Sequence, residues 1–121
     1  MLELSPLSKT WILDIDGTLV VHNGHLKGGD VLLDGVKEFF EQLSPDDKVI
    51  LLTARKEEYL PALKDFLKEN NIRYDYLLTD MPMGERILVN DRKPSGLNTA
   101  FAINKDRDKG LDIAYMINED L

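Results

Sequence analysis

The residues best suited to do chemistry fall in three short runs. The first is Asp14-Ile15-Asp16-Gly17-Thr18. A carboxylate can attack phosphorus and split ester hydrolysis into two easier displacements through an aspartyl-phosphate. Asp14 is the candidate nucleophile. Asp16, two residues on, is the candidate general acid and base, giving a proton to the leaving oxygen and later taking one from water. Gly17 permits the turn that brings Asp16 back over the site. The second run is Leu51-Leu52-Thr53-Ala54-Arg55, where the Thr53 hydroxyl and the backbone N–H groups around Ala54 can hold phosphoryl oxygens. The third, Val89-Asn90-Asp91-Arg92, supplies Asp91. Attack by one anion on another needs a cation, and magnesium takes one or two carboxylates together with phosphate and waters. Asp14 and Asp91 are the carboxylates available for it.

Each run also has a plainer reading. Asp-x-Asp-Gly alone is usually a solvated turn or a fragment of a calcium-type loop. Thr53 alone can cap a following helix. Asp91 with Arg92 and Lys93 can be an exposed charge cluster.

The elements that must position these residues alternate strand with helix, which predicts an α/β fold with a parallel sheet. Apolar runs predict strands at 9–13, 49–52, 76–78, 87–89 and 99–103. Helical spacing of Val36, Phe39, Phe40 and Leu43 predicts a helix over 34–43. Leu60, Leu63, Phe66 and Leu67 predict a second, with Pro61 in its first turn and Asn70-Asn71 at its end. Asn23-Gly24 predicts a tight hairpin flap after the first strand, with 19–21 paired to 25–27. The tail, 111–121, is left open between an added strand, a helix and an assembly segment. In such a sheet the carboxyl ends of the strands form one edge, so Asp14, Thr53 and Asp91 are expected to converge there.

Taken together, the ordered set resembles the motifs of the haloacid dehalogenase (HAD) superfamily of phosphatases. Asp14-Ile15-Asp16-Gly17-Thr18-Leu19 resembles its first motif, Leu51 to Arg55 its second and Val89 to Arg92 its fourth. The resemblance covers roughly residues 9–104. It implies a Rossmann-like single domain over 1–121, with Asp14 as nucleophile and Asp16 as general acid/base. It also implies a magnesium ion held by the Asp14 side chain, the Asp16 carbonyl and Asp91, with Thr53 and Ala54 on the phosphoryl group. The third motif supplies a cation. Arg86 is the leading candidate, with Lys93 and Lys56 as alternatives, and Asn90 stands where the family has an acid. The short connections leave no room for the cap domain that selects substrate in many members. This resembles the capless members, which take larger substrates or use a neighbouring subunit as a lid, so a homo-oligomer is one expectation.

Composition bounds the rest. The chain has 121 residues, 43% apolar and 31% charged, as in an ordinary globular domain. It has no cysteine, which excludes disulfides and thiolate metal sites and suits a cytoplasmic location. A net charge of −7 argues against general nucleic-acid binding but not against a small phosphorylated substrate. No apolar run is long enough for a membrane span, and no signal peptide is evident. His22 and His25 are read as surface residues, and Trp11 and Phe39-Phe40 as core. The segment 104–108 is given no role. The expectation is a magnesium-dependent phosphomonoesterase, with sugar phosphates as the first substrate class. A phosphotransferase or phosphomutase and a non-catalytic module are the rivals.

Overall fold

A computed structural model describes residues 1–121. In chain order the elements are β1 (Leu2–Leu4), β2 (Thr10–Asp14), α1 (Val36–Gln42), β3 (Lys48–Leu52), α2 (Leu60–Glu69), β4 (Tyr76–Leu78) and β5 (Tyr115–Ile117). Single 3-10 turns lie at Gly24–Leu26 and Glu57–Tyr59. The fold is α/β with every strand pair parallel. One sheet runs β2-β3-β4, and β1 pairs with β5 in a second.

Parallel pairing needs crossovers, and α1 and α2 supply them. Their apolar positions recur at one-turn spacing: Val36, Phe39 and Phe40 on α1, Leu63 and Leu67 on α2. These pack on Leu13, Val49 and Leu51 in one cluster of 14 buried residues. Strand side chains alternate between faces, so Ile12, Tyr76 and Leu78 point the other way and are exposed. Pro61 sits at the start of α2. At the other end the Asn70 side chain donates to the Phe66 carbonyl at 2.8 Å, and Asn71 takes a left-handed φ of 57°. The start of β2 is pinned by Asp47, which accepts from the Lys9 amide at 2.9 Å and from Trp11 Nε1 at 3.0 Å.

Register brings the functional residues level. Asp14 pairs with Leu52, and Leu52 with Leu78. Ile15 N–H then donates to Leu52 O at 3.1 Å and Thr53 N–H to Leu78 O at 3.0 Å. The turns carrying Asp16 and Thr53 therefore leave the sheet on the same edge.

Three expectations are corrected. The flap is not a tight hairpin. Asn23 has the left-handed φ of 57° that such a turn uses, but Gly24 then opens a 3-10 turn. Val20 bridges Leu32, and Val21 N–H donates to Val31 O at 3.0 Å, so the return pairing comes later and the flap is a wide loop. The runs 87–89 and 99–103 are not strands. After β4, Asp80 adopts a φ of 56°, and Asp80 and Met81 donate back to the carbonyls of Arg55 and Thr53. That turn carries the chain across the sheet edge rather than alongside β4, leaving Ile87 and Val89 85% and 88% exposed. Apolar runs become strands only where a ladder is available. The open question of the tail resolves as β5. No helix is long and apolar enough to cross a membrane.

Leu51 is fully buried in the central strand. Leu51→Ala is expected to lower unfolding free energy by about 2–5 kcal/mol, read from denaturant midpoints at unchanged slope.

Candidate active site

β2 delivers Asp14 at its last residue, and the following turn delivers Asp16. The turn is closed by Ile15 O, which accepts from Leu19 and Val20, and by Gly17 N–H donating to Val20 O at 2.7 Å. Asp14 and Asp16 line one polar cavity of about 250 Å³ with Gly17, Thr18, Lys105 and Arg107.

Every carboxylate oxygen in this turn has a partner. Asp14 Oδ1 accepts from Arg86 at 2.8 Å and Oδ2 from the Thr18 hydroxyl at 3.2 Å. Asp16 Oδ2 accepts from the Thr53 hydroxyl at 2.7 Å, while Oδ1 accepts from Arg55 Nε and Nη2 at 2.9 and 2.8 Å. The opposite edge of Arg55 grips Asp30 with two bonds, at 2.9 and 2.7 Å. The three side chains are 3%, 16% and 7% exposed for Arg55, Asp16 and Asp30. Burial alone pushes the Asp16 carboxyl up. Hydrogen bonds from Arg55 and Thr53, with the Arg55 charge, outweigh it and hold Asp16 below the usual carboxylate range. Burial likewise pulls the Arg55 guanidinium down, and its bonds to Asp30 and Asp16 more than restore it.

The flap is also held at His25, whose ring meets Tyr59 edge-on at 4.9 Å. His25 is thus half-buried rather than a free surface residue, and its Nδ1 is shielded without a partner. Burial first, then the Arg55 charge, depresses its proton affinity and favours neutral imidazole.

The cationic wall of the cavity comes from residues 105–110. Asp108 N–H donates to Gly17 O at 2.9 Å, and its carboxylate accepts from His22 N–H at 2.8 Å. Leu111, buried in the core, donates to Asp34 O at 2.8 Å. The crossing is tight. A Cβ on Gly35 would come within 2.5 Å of Leu111 O, and one on Gly110 within 2.7 Å of Asp34 O; both glycines have positive φ. Only glycine permits this approach, which sets Lys105 and Arg107 over the Asp14 turn. Lys105 also pairs with Asp112, whereas Arg107 makes no ion pair.

Of the residues singled out in the sequence, Asp14, Asp16, Thr53 and Arg86 come together. Thr53 spends its hydroxyl on Asp16, and the Ala54 amide beside it donates to no protein acceptor. Lys56 is engaged by Asp80. Asp91 lies exposed beyond the corrected strand, with its carbonyl accepting from the Thr99 hydroxyl. No group of three or more acidic or histidine side chains assembles that could hold a metal ion. The Asp16 carbonyl accepts no backbone hydrogen bond, and Asp91 is not among the residues that line the cavity with Asp14 and Asp16. The sequence reading missed the roles of Asp30, Arg55, Lys105 and Arg107. Arg55 stood inside the second motif, while Lys105-Asp106-Arg107-Asp108 has the alternating charge of a solvated run.

No family model matches the chain, and neither a curated protein nor a solved structure matches it.

Asp16 stabilises the fold in its charged form, so its contribution is present above the unfolded carboxyl pKa and is lost as pH falls through its lower folded value. Asp16→Asn is expected to cost about 2 kcal/mol at neutral pH. Thermal melting against pH should show the gap to wild type closing below about pH 4.

Proposed function

We propose that the chain is a phosphomonoester hydrolase that works through an aspartyl-phosphate on Asp14. The single observation that carries this reading is that Asp14, at the end of one strand, and Asp16, two residues on, share a polar cavity with Lys105 and Arg107. A nucleophile, a proton carrier and cations for an anionic substrate are thereby neighbours. The accompanying fold reading is a Rossmann-like, capless domain of the HAD type.

In the first step an Asp14 oxygen forms a bond to phosphorus as the ester P–O bond breaks, and the leaving oxygen takes a proton from Asp16. In the second, water attacks phosphorus, Asp16 takes its proton, and the bond to Asp14 breaks to release phosphate. Asp16 is ionised at rest. A dianionic phosphoryl group arriving beside it raises its proton affinity, which favours loading the proton the first step needs. Lys105, Arg107 and the free Ala54 amide are suited to the phosphoryl oxygens, and Arg86 offsets the Asp14 charge. Magnesium enters through the resemblance alone. Its chemistry would be to screen Asp14 from the phosphate.

A phosphate-binding module without turnover is the second reading, favoured by the closure of both carboxylates with guanidinium groups and by a cavity lining that does not include Asp91. A screen of sugar phosphates and other phosphate esters, with magnesium and with chelator, separates the two. The hydrolase reading expects inorganic phosphate release, loss of at least about a thousandfold in Asp14→Asn, and a raised KM in Arg107→Ala. Release that persists in Asp14→Asn would sink the covalent route. No hydrolysis together with calorimetrically detected phosphate binding would support the module. Turnover that survives chelation would assign charge screening to Arg86, Lys105 and Arg107.

A further inference from the structure

The Asp30–Arg55 pair has no part in the reaction as written, yet it is the most buried charge contact in the chain. The guanidinium has five N–H donors in a rigid plane. Nε and one Nη2 hydrogen go to Asp16 Oδ1. The other Nη2 hydrogen and one from Nη1 go to Asp30. Two edges of one plane are thus clamped by two carboxylates, so the plane cannot turn without breaking bonds to both. The Thr53 hydroxyl on Asp16 Oδ2 completes the restraint. Asp30 in turn stands where the flap closes: its neighbour Val31 accepts from Val21, and Leu32 bridges Val20, three residues beyond Gly17. The flap's second attachment, His25 on Tyr59, reaches the 3-10 turn that follows Arg55.

We propose that Asp30 is a positioning residue for proton transfer: through the Arg55 guanidinium it fixes the direction in which the Asp16 carboxylate faces the cavity. It touches no reacting atom. Its effect passes along Asp30–Arg55–Asp16, and it ties the geometry of the acid/base to the seating of the 21–31 loop. Removing Asp30 releases one edge of the buried guanidinium, which can then tilt while still bonded to Asp16 and carry that carboxylate with it, so Asp16 is present but misdirected, a fault that proton transfer does not tolerate. The proposal rests on the phosphatase reading.

The test uses the full chain and an ester that wild type hydrolyses, comparing wild type, Asp30→Asn, Asp30→Glu and Asp47→Asn. Asp47 is a buried carboxylate remote from the cavity that holds Trp11 and the Lys9 amide, so it reports on structural loss alone. Asp30→Asn is expected to lower kcat by about 10- to 100-fold with KM within about twofold, in protein still folded by thermal melting. Asp30→Glu, which keeps the charge, should recover much of the loss, and Asp47→Asn should lower the melting temperature while keeping kcat. Where Asp30→Asn proves unfolded, Asp30→Glu carries the comparison, with an expected kcat loss smaller than tenfold but larger than that of Asp47→Asn. An unchanged kcat in the Asp30 variants, a KM effect alone, or kcat losses that follow melting temperature equally at positions 30 and 47 would overturn the positioning role while leaving the phosphatase reading intact. A wild type that hydrolyses no ester would sink that reading and the positioning role with it.

Discussion

The buried guanidinium of Arg55 is the interaction on which the site depends. Burying a charge costs several kcal/mol unless its partners are close and well aligned. Here one cation faces two carboxylates, from residues far apart in sequence, with four short hydrogen bonds. Such an arrangement tolerates little displacement of any member. It therefore demands that β2 and β3 hold their register, because a slip of one residue would invert Asp16 and Arg55 relative to the sheet. The parallel ladder from Thr10–Lys48 to Asp14–Leu52 meets that demand, and the core beneath it, Leu13, Val49 and Leu51 against α1 and α2, fixes which face points inward.

How much was legible in the sequence follows from how local each signal is. The strands at 10–14, 48–52 and 76–78 and both helices were readable to within a few residues, because apolar spacing and terminators such as Pro61 and Asn70 act over a few residues. The flap was misread because Asn23-Gly24 is a sound turn signal in isolation. What overrides it is a set of distant contacts, Asp30 with Arg55 and His25 with Tyr59, that a tight hairpin would not reach. The run 87–89 was misread because nothing within it records the turn at Asp80 that removes its ladder.

The site divides along the same line. Asp14, Asp16 and Thr53 were identifiable because each ends or follows a strand, and the sheet edge gathers such positions. Arg55 was visible as a motif residue, but its task depends on Asp30, which carries no signature of its own. Lys105 and Arg107 were unreadable for a different reason. Their place is set by backbone crossing at Gly35 and Gly110, and a glycine in a sequence does not announce which carbonyl it lies against.

The two loops that escaped prediction act on the Asp14 turn together. The 21–31 loop brings Asp30 to one side of it, and the 105–110 segment brings Lys105 and Arg107 to the other. Asp108 joins them by accepting from His22 while donating to Gly17 O. The turn is therefore bracketed by an acidic side that occupies Arg55 and a basic side on which Arg107 remains unpaired. On a chain of net charge −7, this division leaves a local positive wall facing the cavity without making the surface as a whole attractive to anions. Arg107 is solvent-exposed, so this positive wall is presented at the open mouth of the cavity beside Asp14 and Asp16.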